Sequence, residues 1–123
     1  MSKNKLAFIG GSGIYNLDIL KEVVEHDLVS PFGKPSSKII EGKINSNTIY
    51  FLSRHGVGHR LAPSEINYRA NIDALKRAGV TDIISLSAVG SLKEKYNPGH
   101  FVLIDQFVDQ TFDRNKTFLA QVV

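Results

Sequence analysis

The alternation of apolar and polar positions changes period several times along the chain, and each change marks an element. Residues 6–9, Leu-Ala-Phe-Ile, are an apolar run that breaks into Gly10-Gly11-Ser12-Gly13, which predicts a buried strand ending in a glycine-rich loop. Residues 22–29 mix apolar and charged positions and predict a second strand before the loop Pro31-Phe32-Gly33-Lys34-Pro35. Residues 37–44 alternate loosely, Asn45-Ser46-Asn47 is a turn, and residues 48–52 return as Thr-Ile-Tyr-Phe-Leu, which predicts a hairpin. Ser64 is then expected to cap a helix, with Glu65 in its first turn, apolar groups at Ile66, Ala70, Ala74 and Ala78, and Gly79 just beyond its end. Residues 81–86 are rich in Ile and Leu with few charges, as in a strand covered on both faces. Asn97-Pro98-Gly99 predicts a turn into a further apolar stretch at 101–104. Hairpin, helix and buried strands together predict a mixed α/β sheet in one unit, since no repeat, low-complexity tract or linker divides the chain.

Composition narrows this picture. The 123 residues are 42% hydrophobic and 22% charged, values of an ordinary globular domain large enough for one core. The net charge of +3 comes from 15 basic and 12 acidic residues without a Lys/Arg block, so small anions suit it and nucleic acid is not indicated. No cysteine is present, which excludes a disulfide framework and a thiolate metal site and fits a cytoplasmic setting. The apolar stretch behind Lys3 and Lys5 is too short for a signal peptide or a membrane span.

Candidate chemistry gathers at three strand ends. The first is the glycine loop, where backbone N–H groups and the Ser12 hydroxyl suit an anion. It is not a dinucleotide fingerprint, because Asn16 stands where the third glycine belongs, and no Gly-Lys-Ser or Gly-Lys-Thr triphosphate loop occurs. Nor is it a nucleophile elbow, because Ile14 stands two places after Ser12. The second is Arg54-His55-Gly56-Val57-Gly58-His59-Arg60, a strand delivering a planar guanidinium into a glycine-rich loop, which reads as an oxyanion clamp or as a solvated turn. A metal reading of His55 and His59 is weakened by the glycines between them, which disfavour a helix. The third is Ser87-Ala88-Val89-Gly90-Ser91, again small hydroxyl residues and glycine behind an apolar strand. Ligands of open α/β sheets bind beyond the carboxyl ends of the strands, so Ser12, Arg54 with His55, and Ser87 are expected to converge on one anion.

These segments, together with Pro31-Phe32-Gly33-Lys34-Pro35-Ser36, Pro63-Ser64, Asn67-Tyr68-Arg69-Ala70-Asn71, Ser87-Ala88-Val89-Gly90-Ser91-Leu92 and Asp105-Gln106-Phe107, occur in an order that resembles the 5′-methylthioadenosine phosphorylases, a group of purine nucleoside phosphorylases. The resemblance implies a phosphorylase/hydrolase-like α/β sandwich, a homotrimer, inorganic phosphate as co-substrate, and neither metal nor organic cofactor. By position it implies phosphate-binding roles for Ser12, Arg54, His55, Ser87 and Ala88, and places near the ribose and its 5′ substituent for His59 and Pro63. Phosphorolysis of methylthioadenosine to adenine and 5-methylthioribose 1-phosphate is the implied reaction. A related purine nucleoside or methylthioinosine phosphorylase, or a non-catalytic module that associates with intact subunits, is the alternative.

The resemblance runs through Thr117-Phe118, after which residues 119–123 depart from the family pattern. Family members continue with a second half carrying the remaining contacts and the acidic group that protonates the leaving base. The 123 residues are therefore expected to be a truncated, N-terminal half of a single phosphorylase domain, without turnover of their own.

Overall fold

The computed structural model describes residues 4–11 and 18–119. Within them lie β1 (Leu6–Gly10), β2 (Lys21–His26), β3 (Ile39–Ile44), β4 (Asn47–Ser53), α1 (Tyr68–Arg77) and β5 (Asp82–Ser85). The strands form one sheet in the order β2-β3-β4-β1-β5. β1 pairs in parallel with β4 on one side and β5 on the other, while β2, β3 and β4 run antiparallel. The central, apolar β1 is thus flanked by parallel neighbours, and Ala7 and Ile9 are buried. The mixed α/β sheet expected from the sequence is present.

The β3–β4 hairpin turns through Asn45 and Ser46, with Ile44 paired to Asn47. Asn45 takes φ 54°, a left-handed conformation that asparagine tolerates better than branched residues. One face of the sheet carries Ala7, Ile9, Ile39, Tyr50 and Leu52, which pack with Ala74 and Leu75 of α1 into the core. On the other face Leu20 packs over Gly42, where a Cβ would meet it at 3.0 Å. There, Leu20, Ile40 and Phe51 help to wall a groove of about 790 Å³.

The helix begins later than its sequence predicts. Asn67, not Ser64, is the N-cap, its side chain accepting from the N–H of Ala70 at 3.1 Å. Glu65 instead closes a turn, its carboxylate accepting from the N–H of Ala62 at 2.7 Å, and no acidic residue stands in the first helical turn. The far end follows expectation. Gly79, at φ 87°, donates to the carbonyl of Lys76, and Val80 donates to that of Leu75, the paired bonds of a Schellman ending.

The two sheet edges differ. β2 is interrupted by a bulge between Lys21 and Val24 and is laced to β3 by His26–Glu41 at 2.7 Å and Lys43–Glu22, and to Lys38, just before β3, by Lys38–Glu25 at 2.9 Å. Such charge and irregularity discourage another strand from adding there. β5 has no such protection. Within the described residues β5 is an edge strand, with Ile83 40% and Ile84 45% exposed, so the cover expected on both faces of 81–86 is not supplied by these 123 residues. The Asn97–Gly99 turn forms, His100 donating to the carbonyl of Asn97 at 3.1 Å, but 101–104 pairs with no described strand and its apolar side chains are exposed. Periodicity reports that a segment is apolar; burial requires a neighbour to cover it. Among the described residues no helix is long and apolar enough to cross a membrane.

Candidate anion site and family

The order β4-β1-β5 brings three carboxyl ends side by side. Gly10 is in register with Ser53, and Ile9 with Ser85. The ladders run past the strand ends: the N–H of Arg54 donates to the carbonyl of Gly10, and that of Leu86 to Ile9, each at 2.9 Å. Arg54 and Ser87 therefore leave the sheet on either side of Gly11. Nη1 of Arg54 donates to the Ser87 hydroxyl at 3.1 Å. The guanidinium also lies across Gly11, where a Cβ would stand 2.5 Å from Nη2 and 3.4 Å from the carbonyl oxygen of Leu86. Glycine at 11 is what lets the side chain approach the strand end so closely.

Ion pairs among the described residues fall elsewhere, on His26–Glu41, Lys38–Glu25, Lys43–Glu22, Arg77–Asp73 and Lys116–Asp109. No carboxylate among them neutralises Arg54. A half-buried guanidinium with no carboxylate partner among the described residues, beside a hydroxyl and a bare glycine backbone, is an arrangement that favours an oxyanion.

The other candidates are placed differently. His55 is buried, and its Nδ1 lies 2.8 Å from the carbonyl oxygen of Leu61, whose own N–H donates back to the carbonyl of His55 at 2.9 Å. The His55 and His59 rings stack with centroids 4.3 Å apart, and His59 sits at φ 54°. These two residues thus brace the 55–61 loop that follows Arg54. Pro63 lies in the turn before α1, its carbonyl accepting from the Tyr68 hydroxyl at 3.1 Å. Ala88 follows Ser87 on the exposed chain leaving β5. Ser12 lies outside the described residues. No group of three potential metal-ligating side chains occurs among the described residues.

Motif reading overlooked the support behind Arg54. Asn71 is buried at 2% exposure on α1, and its amide engages both the N–H of Ser36, at 2.8 Å, and the Ser36 hydroxyl, at 3.0 Å. The Ser37 hydroxyl in turn accepts from the N–H of Ser53 at 3.0 Å. The available signal was Asn67 and Asn71, four apart beside the apolar stripe at 70 and 74, where a buried amide must find partners.

The sheet with its parallel strand ends and one covering helix defines a class, and the sequence profile of the phosphorylase superfamily matches residues 5–122. The chain belongs to the phosphorylase superfamily, as its motifs led us to expect. It is 56% identical over 121 residues to an S-methyl-5′-thioadenosine phosphorylase of Bradyrhizobium diazoefficiens, covering 98% of this chain and 42% of that protein. A protein of the same name from Hyperthermus butylicus is 50% identical over 119 residues, which cover 97% of this chain and 43% of the relative. Methylthioadenosine phosphorylase from Schistosoma mansoni, solved in complex with adenine, superposes with a TM-score of 0.87 at 46% identity over 94% of this chain and 42% of its own. The chain thus spans about two fifths of the length of the curated relatives it matches.

Proposed function

We propose that the strand-end cluster of Gly11, Arg54 and Ser87 is the phosphate subsite of a methylthioadenosine phosphorylase, to which Ser12, His55 and Ala88 also contribute, with His59 and Pro63 nearer the ribose and its 5′ substituent. The observation that carries this reading is the Arg54 guanidinium held between Ser87 and the Gly11 backbone, with no carboxylate paired to it among the described residues. The names of the similar proteins supply the nucleoside.

In this reading the chemistry is mostly positioning and charge. Inorganic phosphate is held beneath the ribose, and one of its oxygens bonds to C1′ as the C1′–N9 bond breaks. The electron pair leaves with adenine, which takes up a proton, and 5-methylthioribose 1-phosphate remains. Arg54 and the hydroxyls hold the dianion in line and place its charge under the developing oxocarbenium ion. Phosphate is a co-substrate, and no metal or organic cofactor takes part. The resemblance implies that the group protonating the base stands in the family's second half, which these 123 residues do not span. A cytoplasmic homotrimer is the assembly that the resemblance implies.

The test joins residues 1–118 to the matching continuation of the Bradyrhizobium relative. Adenine release from methylthioadenosine should require phosphate and yield the 1-phosphate ester. Release independent of phosphate, or a preference for methylthioinosine or inosine, overturns the assignment. The 123-residue chain alone should release no adenine.

A further inference from the structure

We infer that Asn71 is a positioning residue for the turn that carries Arg54, acting through Ser36 and Ser37 without touching the anion cluster itself. The inference rests on the phosphate reading above only for its functional consequence; the mechanical link stands on geometry alone.

The link has three joints. Asn71, fixed on α1, engages Ser36 with both ends of its amide: Oδ1 accepts from the backbone N–H and Nδ2 donates to the hydroxyl. One helical turn earlier, Nδ2 of Asn67 donates to the carbonyl of Phe32 at 2.6 Å, so two asparagines spaced four apart hold both ends of the 32–36 loop. From that loop, Ser37 accepts from the N–H of Ser53, and the carbonyl oxygen of Ser36 stands 3.1 Å from where a Cβ on Gly56 would be. Ser53 and Gly56 are the two ends of the turn around Arg54 and His55, closed by the Gly56 N–H on the Ser53 carbonyl at 3.0 Å. The turn is therefore gripped from the β1 side by Gly10 and from the opposite side by the 36–37 segment.

The pairs Ser36 with Asn71 and Phe32 with Asn67 each join residues 35 positions apart, so the clamp is a tertiary device and not local turn chemistry. Buried polar groups that are fully satisfied hold one arrangement, because any displacement leaves a donor or acceptor unpaired. Removing the Asn71 amide orphans the Ser36 N–H and hydroxyl and frees the 36–37 segment to shift. A misplacement of about 1 Å at a binding group is enough to lower its effectiveness severely.

The experiment uses the full 123-residue chain, labelled with nitrogen-15, and follows the Arg54 Nε and His55 imidazole resonances with and without inorganic phosphate. Asn71→Ala should displace both sets of resonances in phosphate-free protein and weaken phosphate binding roughly tenfold. Asn71→Asp, whose oxygens can still accept from the Ser36 N–H and hydroxyl, should restore the resonance positions. Ala74→Gly serves as the stability control, since it weakens the same helix without touching the clamp. Unchanged Arg54 and His55 resonances in Asn71→Ala, or equal displacement in Ala74→Gly, overturn the inference. Should Asn71→Ala not fold, Ser36→Ala removes only the hydroxyl and is read by the same criterion. A wild-type chain that takes no phosphate sinks the phosphate reading, while the resonance comparison still decides the role of Asn71.

Discussion

Nη1 of Arg54 donates to the hydroxyl of Ser87 across 3.1 Å, joining two residues 33 positions apart over the end of the strand between them. A charged hydrogen bond contributes about 1.5–3 kcal/mol, so Arg54→Ala should weaken phosphate binding by roughly tenfold to a hundredfold. Arg54→Lys keeps the charge but loses the planar fork and should recover only part. The phosphate Michaelis constant of the joined enzyme reads both; an unchanged constant in Arg54→Ala removes the residue from the subsite.

Gly11→Ala separates site from fold. The added Cβ would stand 2.5 Å from Nη2 of Arg54, the far end of a flexible side chain, so the guanidinium yields and the backbone does not. Phosphate affinity should fall while thermal unfolding shifts by less than the few degrees that about 1 kcal/mol produces in a domain of this size. A large stability loss with intact phosphate binding contradicts this account of the glycine.

Acid should loosen the helix through Asp73. The guanidinium of Arg77, which donates to the Asp73 carboxylate at 2.6 Å, holds that carboxyl below its usual range, and the Ser30 hydroxyl adds to the effect. A depressed carboxyl contributes stability above its unfolded-state value and loses it as pH falls through the folded-state value. Wild-type stability should therefore drop more steeply than that of Asp73→Asn in the acid limb below about pH 4. Parallel acid limbs for the two proteins count against a role for this pair.

Exposed apolar surface predicts self-association. Phe101, Leu103 and Phe112 are 95%, 99% and 85% exposed, and they follow an unprotected β5. Such surfaces and edges recruit other chains. Light scattering of the 123-residue protein should rise with concentration, and Ile84→Lys, on the β5 edge, should slow it without altering the far-ultraviolet circular dichroism. An equal rate in the variant would move the sticky surface away from β5.

Much of the architecture is legible from local chemistry. The apolar run at 6–9, the Asn45–Asn47 turn between alternating strands and the glycine at 79 each act through neighbours a few residues away, and all three appear where the sequence puts them. The start of α1 does not, because Ser64 and Asn67 are both competent caps. Asn67 prevails in the fold, where its amide also reaches Phe32, a residue the sequence does not bring near. His55 shows the same limit: the motif places it beside Arg54, while the approach of its Nδ1 to the Leu61 carbonyl oxygen, at 2.8 Å, is set by the fold.

The sequence by itself determined which strand ends carry glycine, guanidinium and hydroxyl groups, because strand period and turn propensity are properties of adjacent residues. Only the tertiary structure decided that Gly11, Arg54 and Ser87 meet. Their meeting depends on β1 lying between β4 and β5 in parallel, a non-local pairing fixed by burying the apolar central strand and its core neighbours beneath α1.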